Sequence, residues 1–198
     1  LPAHKNAAVL ELGCGHGTFL YWLRKEGYLN LTGIDASREQ VDLARRVWPA
    51  VQQGDLRPFL ETVNERYDFI AALDVLEHFS RQEGLNLVRA VQRALRPGGA
   101  FLLQTLNADS PFMGQQRYGD LTHEVAYNRR SLATLLRLAG FQRMEFVALG
   151  PVAHGPVSAL RWLLWRGIVL GLKGYQLIEM GTADGAIFTQ GFAACAYK

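Results

Sequence analysis

The sequence predicts an α/β fold with a doubly wound, mostly parallel sheet. Short apolar runs alternate along the chain with segments of about ten residues that have helical character. Strands that alternate with helices form right-handed βαβ units, and such units build a parallel sheet. The first apolar run, Val9–Leu12, leads into glycines at alternate positions, Gly13, Gly15 and Gly17. This pattern is typical of a strand that turns tightly into a helix.

The strands are predicted where apolar runs end at turn-forming residues. In chain order they are Val9–Leu12, Leu31–Ile34, Val51–Gln53, Phe69–Leu73, Ala100–Thr105, Met144–Leu149 and Phe188–Tyr197.

The helices are predicted from apolar spacing and from residues that start or stop a helix. Ser37 and Asn128 are N-cap candidates, and Gly27 and Gly140 are stop signals. The predicted helices are Thr18–Glu26, Arg38–Val47, Gln82–Leu95 and Ser131–Ala139. Two long stretches, roughly 106–127 and 150–187, are predicted to be irregular, and loops of that length are usually functional.

Size and charge indicate one globular domain over residues 1–198. Hydrophobic residues make up 49% and charged residues 20% of the chain, and the net charge is +3. The positive charge is scattered, so nucleic acid is not a predicted partner. The apolar segment 157–172 is interrupted by Arg161 and Arg166 and is too short for a transmembrane span.

The cysteines, Cys14 and Cys195, predict free thiols and a cytoplasmic location, because Cys14 lies inside the glycine loop. No signal peptide is recognised, and no metal is predicted, because the histidines form no local cluster. The first strand begins close to residue 1, so a segment that precedes it stays an open alternative.

The glycine loop and Asp35 predict a nucleoside ligand. In a doubly wound sheet, ligands bind beyond the carboxyl ends of the strands, where glycines bring backbone N–H groups and a helix N-terminus close to an anion. Asp35 follows Gly15 by 20 residues at the end of the second strand, where a carboxylate can accept hydrogen bonds from ribose hydroxyls. The dinucleotide fingerprint G-x-G-x-x-G/A is not matched, because Thr18 occupies its last position.

Several ordered motifs resemble the class I S-adenosylmethionine-dependent methyltransferases, over nearly the whole chain. They are VLELGCGHG, LTGIDAS, QQGDL, YDFIAALDVLEHF, ALRPGGAFLLQT and SLATLLRLAGF. The resemblance implies a three-layer, Rossmann-like sheet of seven strands whose last strand is antiparallel. It also implies S-adenosylmethionine as cofactor, with the glycine loop at its amino-acid end. The cofactor-binding residues expected on this basis are Glu11, Gly13, Cys14, Gly15, Gly17, Asp35, Ala36, Asp55, Leu56 and Asp74.

Candidate catalytic residues lie on the segments that follow the fourth and fifth strands. Methyl transfer to a hydroxyl gains about 10²–10⁴-fold from a base, and His78, His123 and Glu124 are the candidates. The structural alternatives are that His78 starts a helix beside the cofactor and that the other two residues belong to a solvated turn.

The sequence therefore predicts a methyltransferase for a small or lipid-linked molecule. The first hypothesis is O-methylation of a sugar or glycan precursor, and the second is O-methylation of a quinone or phenol. Residues 150–187 are interpreted as a lid or insert. Its segment RWLLWRGIVLGL is expected to be an extra helix packed on the sheet edge, and the alternatives are an apolar lid over a lipid-linked or aromatic substrate and a segment that lies on a membrane surface in peripheral contact. Two alternatives are kept. The first is a non-catalytic cofactor-binding module or a domain of a larger polypeptide, and the second is a nicotinamide-dependent oxidoreductase. The oligomeric state is not predicted.

Overall fold

A seven-stranded sheet forms the centre of the protein in the computed structural model, which describes all 198 residues. The strands are β1 (Val9–Leu12), β2 (Leu31–Asp35), β3 (Val51–Gln53), β4 (Tyr67–Leu73), β5 (Leu95–Leu106), β6 (Arg143–Ala148) and β7 (Gly191–Tyr197). The helices are α1 (Thr18–Lys25), α2 (Arg38–Val47), α3 (Leu56–Glu61), α4 (Arg81–Ala94), α5 (Met113–Gly119), α6 (Arg129–Leu138) and α7 (Pro156–Met180).

The strand order is β3-β2-β1-β4-β5-β7-β6. The pairs from β3 to β5 are parallel, whereas β7 is antiparallel to both of its neighbours, β5 and β6. This arrangement confirms the predicted doubly wound sheet with an antiparallel last strand. The chain reverses its order across the sheet between β1 and β4, which is where doubly wound sheets bind ligands.

Both faces of the sheet are buried, as the nearly continuous apolar strands require. Leu10 and Leu12 of β1 point into the larger core cluster, which also holds side chains of α4 and α6. Val9 points to the opposite face and packs with Leu20 and Val41 from α1 and α2. Helices on both sides of one sheet produce the three-layer architecture.

Local signals account for most helix boundaries. Ser37 caps α2, and Asn128 forms a reciprocal capping box with Ser131 at the start of α6. The helix α4 ends at Ala94, and Pro97 lies within β5 instead of in a turn before it.

The prediction of irregular structure over 106–127 and 150–187 was wrong in part. The first stretch contains α5, and the second contains the 25-residue helix α7. Three glycines, which lower helix propensity, and an apolar composition on nearly all sides of α7 hide its period in the sequence. The short helix α3 was also missed, although Asp55 caps its first turn.

Candidate active site

A cleft of about 400 Å³ lies at the carboxyl ends of β1, β2, β3 and β4. Each of these strands is followed by residues that line the cleft, so four turns distant in sequence meet at one edge of the sheet. The lining residues are Gly13, Asp35, Ala36, Asp55, Leu56, Arg57, Asp74, Val75, His78 and Phe79. Most of them belong to the predicted cofactor set, and His78 is a predicted catalytic residue.

The glycine loop after β1 has three left-handed residues, with φ of 64° at Gly13, 49° at Gly15 and 87° at Gly17. A Cβ on Gly13 would lie 2.6 Å from Val75 Cγ2, so a glycine is needed where the loop meets the turn after β4. A Cβ on Gly17 would lie 3.2 Å from Ala44 Cβ. The close approaches at these two glycines are therefore to protein.

Gly15 differs from the other two glycines. A Cβ there would meet only Gln40 Oε1, at 3.9 Å, so the space beside Gly15 is open. The Gly15 N–H donates to Asp35 Oδ2 at 2.8 Å, and the Ser37 N–H donates to Asp35 Oδ1 at 2.8 Å. Asp35 thus fastens the glycine loop to the end of β2 and places its carboxylate at the cleft.

Glu11 is a buried carboxyl group next to this loop. Only 3% of the residue is exposed, and Oε2 has no hydrogen-bond partner. Burial, reinforced by the nearby Asp35 carboxylate, raises the pKa of Glu11 to about 8. An unpartnered buried oxygen is destabilising unless a donor satisfies it. The ammonium group of S-adenosylmethionine is such a donor, so the loop and Glu11 fit the amino-acid end of this cofactor.

Cys14 lies in the same loop, but its side chain belongs to the core. Its thiol is buried among Val9, Leu20 and Leu31, and burial raises the Cys14 pKa to about 12. The backbone of Cys14 is engaged as well, with its N–H donating to Ile34 O and its carbonyl accepting from the Gly17 N–H. Cys14 therefore shapes the loop, and its thiol is unreactive.

Asp55 begins α3 at the rim of the cleft. It accepts hydrogen bonds from the backbone N–H of Arg57 at 2.9 Å and from the Arg57 guanidinium at 2.6 Å. The hydrogen bond from the guanidinium lowers the pKa of Asp55, which keeps its carboxylate ionised. Leu56, beside it, is buried and presents an apolar surface to the cleft.

Asp74 has a strained backbone at the end of β4. Its φ is 54°, a left-handed value that is uncommon for a residue other than glycine. Its side chain accepts a hydrogen bond from Gln104 Nε2 at 2.7 Å. Strained residues of this kind are concentrated at functional sites, and Asp74 lies in the cleft.

His78 is held by a chain of hydrogen bonds from the segment after α5. His78 Nδ1 lies 2.9 Å from Thr122 Oγ1, and the Thr122 hydroxyl donates to Asp120 Oδ1 at 2.6 Å. A hydroxyl has one proton, so when Thr122 donates to Asp120 its oxygen accepts from His78. The proton of a neutral His78 ring then resides on Nδ1, and Nε2 keeps a free lone pair.

Asp120 is suited to anchor this chain. Hydrogen bonds from the side chain and the backbone N–H of Thr122 lower the pKa of Asp120, so its carboxylate is ionised at neutral pH. A carboxylate can only accept hydrogen bonds, which determines the direction of the whole chain from His78 to Asp120.

His123 lies against His78, with ring centroids 4.8 Å apart. Its Nδ1 is 3.0 Å from Gln116 O, and its Nε2 is 3.9 Å from Asp120 Oδ2. Both ring nitrogens thus face protein groups. Glu124 is exposed, and neither it nor His123 is among the residues that line the cleft.

Glu77 attaches the segment that holds these residues to the end of β4. Its carbonyl accepts from the Glu124 N–H at 2.7 Å and from the Val125 N–H at 3.2 Å. Its side chain is fully buried, with Oε2 accepting from Thr105 Oγ1 at 3.0 Å and Oε1 without a partner. Burial raises the pKa of Glu77 to about 7.

The sequence interpretation missed several residues of this site: Arg57, Val75, Phe79, Asp120 and Thr122. The spacing of Asp120 and Thr122 is a recognisable signal, because an aspartate often bonds to the residue two positions later in a turn. Nothing local to Asp120 or Thr122 indicates that His78, more than 40 residues earlier, is their partner.

Comparisons with known proteins place the chain in a family. The family profile described as "Methyltransferase domain" matches residues 1–145. A methyltransferase structure from Archaeoglobus fulgidus, described as SAM-dependent, has the same fold, with a TM-score of 0.74 and 18% identity. That match covers 98% of this chain and 86% of the other.

Three curated relatives have different printed names. EEF1A lysine methyltransferase 2 of Danio rerio is 30% identical over 52% of this chain and 49% of its own length. The ubiquinone biosynthesis O-methyltransferase of Vibrio vulnificus is 29% identical over 50% of this chain and 43% of its own length. The tRNA U34 carboxymethyltransferase of the same species is 27% identical over 72% of this chain and 47% of its own length.

The chain thus spans about half the length of the curated relatives it matches. The family profile covers more than half of the chain, and the fold matches that of the structural relative with a TM-score of 0.74. The chain belongs to the methyltransferase-domain family, among the class I S-adenosylmethionine-dependent methyltransferases.

Proposed function

We propose that this chain transfers a methyl group from S-adenosylmethionine to a hydroxyl of a small or lipid-linked acceptor, with His78 as the general base. The observation that carries the proposal is the hydrogen-bond chain from Asp120 through Thr122 to His78 Nδ1. It leaves Nε2 of His78 as a proton acceptor on a residue that lines the cleft.

We assign the binding roles as follows. When bound, S-adenosylmethionine supplies a methyl group that its positive sulfonium makes electrophilic. Asp35 accepts from the ribose hydroxyls, and Glu11 and the backbone around Gly15 hold the amino-acid end; the hydrogen bonds of Asp35 and the unpartnered Glu11 oxygen support these roles. Asp55, Leu56 and Ala36 line the rest of the cleft, and Asp74 lies at the turn after β4.

With the cofactor bound, His78 Nε2 would take the proton of the acceptor hydroxyl whose oxygen receives the methyl group. The His78 ring then becomes cationic, and Asp120 stabilises it through Thr122. His123 packs against the ring and limits its rotation. We assign His123 a positioning role, because both of its nitrogens already face protein groups. Glu124, predicted as a catalytic candidate, is exposed and lies outside the residues that line the cleft, so we assign it no step.

A quinone precursor or other phenol is the acceptor class that we favour over a sugar. The relatives named ubiquinone biosynthesis O-methyltransferase support this choice. A phenol also loses its proton more readily than a sugar hydroxyl, so one imidazole base is enough for its methylation. The sugar or glycan precursor remains the second acceptor class.

A tRNA acceptor is the competing candidate from another class. The tRNA-directed relative aligns over 154 residues, more than the other two described above. The scattered positive charge of this chain disfavours it, because nucleic-acid partners need clustered lysines and arginines. We also propose a reducing, cytoplasmic compartment, which is supported by the free Cys14 thiol in the core.

The test is methyl transfer from radiolabelled S-adenosylmethionine to a catechol, a nucleotide-linked sugar and total tRNA. We expect transfer to the catechol, and His78→Ala should lower kcat by about 10²–10⁴-fold with little change in the affinity for S-adenosylhomocysteine. His154→Ala is the matched control, since His154 is exposed and lies outside the cleft. An unchanged rate in His78→Ala would show that His78 is not the general base. Methyl transfer to tRNA alone would show that the acceptor is tRNA and not a small molecule.

Calorimetric titration separates the remaining alternatives. Binding of S-adenosylhomocysteine without binding of NADH supports the methyl-donor site and opposes an oxidoreductase. Cofactor binding with no transfer to any acceptor would favour the non-catalytic module.

A further inference from the structure

The helix α7 presents an apolar face that no part of the protein covers. Residues with half-buried side chains recur at helical spacing on one side, at Ser158, Trp165, Val169, Leu172 and Gln176, and this side faces the rest of the protein. The opposite side has no charged residue. Its large side chains are 54–87% exposed and include Leu160, Leu164, Ile168 and Ile178, together with Leu163 and Leu170, which line a cleft between α7 and residues 186–189.

Positive charges border this apolar face on both sides. At 100° per residue, Arg161 lies at one edge, and Arg166 and Lys173 lie at the other. Glu179 is the sole acidic residue of α7. Arg166 is also stacked on Trp162, with the guanidinium carbon 4.9 Å from the ring centroid. Cations that border an apolar strip can reach the headgroup phosphates of an anionic membrane while the strip contacts the acyl chains.

The length of α7 is sufficient for such contact. Its 25 residues extend about 37 Å at 1.5 Å per residue. No helix of this structure combines the length and apolarity needed to cross a bilayer. The helix α7 is thus long enough to lie along a membrane surface.

A second apolar feature adjoins the same helix. A cleft of about 610 Å³ separates α7 from residues 186–189, and eight of its twelve lining residues are hydrophobic. Trp165, Val169, Ile187 and Phe188 belong to its wall, and the cations Arg166 and Lys173 line it as well. Apolar walls with two cations suit a molecule with an apolar chain and an anionic head.

We propose that α7 docks this protein on the surface of an anionic lipid bilayer, with its uncovered apolar face among the acyl chains and Arg161, Arg166 and Lys173 on the headgroup phosphates. The helix connects the carboxyl end of β6 to β7, so it lies at the same edge of the sheet as the active-site cleft. Docking there brings the cleft to the membrane, where a lipid-linked acceptor is found. The region predicted as a lid thus becomes the membrane contact.

A second copy of the chain is the competing occupant. Gly167, Gly171 and Gly174 lie on the uncovered face and would permit two helices to approach closely. In a parallel pair each cation would face its own counterpart, and in an antiparallel pair centred near Leu170, Arg166 would lie beside Lys173 of the other helix. Like charges oppose the parallel pairing and one edge of the antiparallel pairing, whose other edge would pair Arg161 with Glu179, whereas an anionic membrane partners all three cations.

The test measures binding of the whole chain to large unilamellar vesicles by cosedimentation, without any methyl acceptor. We expect binding to vesicles of phosphatidylcholine with one quarter phosphatidylglycerol, much weaker binding to phosphatidylcholine alone, and loss of binding in high salt. The triple variant Arg161→Gln, Arg166→Gln, Lys173→Gln should reduce partitioning by about 100-fold, because each cation near the surface contributes roughly fivefold. Its matched control is Lys25→Gln, Arg46→Gln, Arg89→Gln, which removes the same charge elsewhere.

The apolar face is tested separately with Leu160→Glu, Leu164→Glu. We expect this variant to lose vesicle binding and the control Leu29→Glu, Leu138→Glu to keep it, since all four leucines are 57–65% exposed. Unchanged affinity for S-adenosylhomocysteine verifies that each variant is folded. Equal binding to neutral and anionic vesicles would overturn the proposal, and so would binding that survives either α7 variant. A dimer in ultracentrifugation that depends on Leu160 and Leu164, without any binding to vesicles, would overturn it as well. Because no step involves methyl transfer, a failure here is distinct from a failure of the proposed function.

Discussion

At the scale of single residues, Thr122 determines which nitrogen of His78 carries the proton. Thr122→Val keeps the shape of the side chain but removes the oxygen that accepts from Nδ1. We expect kcat to fall by about tenfold and its pH profile to shift, because the ring loses its orientation and its link to Asp120. Steady-state kinetics across pH check this, with S-adenosylhomocysteine affinity unchanged.

The conservative variant Thr122→Ser retains the side-chain hydroxyl, so we expect its kcat to equal that of the wild type. Thr134→Val, which removes an exposed hydroxyl on α6, serves as the control. A Thr122→Val enzyme with normal kcat and a normal pH profile would show that the chain does not position the base.

Glu11 makes a prediction about protons at the same scale. Its pKa of about 8 means that Glu11 is mostly protonated at pH 7 before the cofactor binds. An ammonium group beside it favours the carboxylate, so binding should release up to one proton. Calorimetry at pH 7 in buffers of different ionisation enthalpy measures this release. Glu11→Gln should abolish it and the exposed Glu61→Gln should not; a release that persists in Glu11→Gln would exclude Glu11 as its source.

At the scale of elements, the glycine loop must fit against the turn after β4. Gly13 and Gly98 both have left-handed φ, 64° and 77°, but a Cβ at Gly98 would meet nothing within 4 Å. Gly13→Ala should lower the free energy of unfolding by about 2–4 kcal/mol, from backbone strain plus the clash with Val75. Gly98→Ala carries the strain alone and should cost about 1–2 kcal/mol.

Urea unfolding of the two variants separates the cost of backbone strain from the cost of the clash with Val75. Gly13→Ala should also weaken binding of S-adenosylhomocysteine, whereas Gly98→Ala, remote from the cleft, should not. Equal losses of stability would mean that Val75 moves aside without cost.

At the scale of the whole molecule, stability should fall as pH rises through the range in which Glu77 ionises. Folding raises the Glu77 pKa from 4.5 to about 7, so between these values the folded state binds more protons than the unfolded state. The resulting loss of stability is about 3 kcal/mol between roughly pH 4.5 and 7. Glu77→Gln should remove its share of this dependence, leave the share that Glu11 contributes, and be more stable than the wild type at pH 8. Urea midpoints at pH 5.5 and 8 provide the measurement, and a wild type that is more stable at pH 8 would contradict the assignment.

The order of the elements was accessible from the sequence. Apolar runs, caps and the glycine spacing are local signals, so they placed all seven strands and most helices, and Asp35 and Asp74 follow β2 and β4 at the cleft as expected, while their roles toward the cofactor stay predictions. For α7 these local signals indicated a helix without its bounds, because a helix with apolar side chains on most of its surface has no clear period.

The doubly wound sheet, the loop that turns from β1 into α1 and the residues at the ends of β1 to β4 can be read from the sequence, since topology brings these strand ends to one edge. The orientation of His78 by Thr122 and Asp120, the unpartnered oxygens of Glu11 and Glu77 and the exposure of one face of α7 emerge only when the chain is folded. Hydrogen-bond direction, burial and exposure depend on which distant segments meet, and no stretch of sequence contains that information.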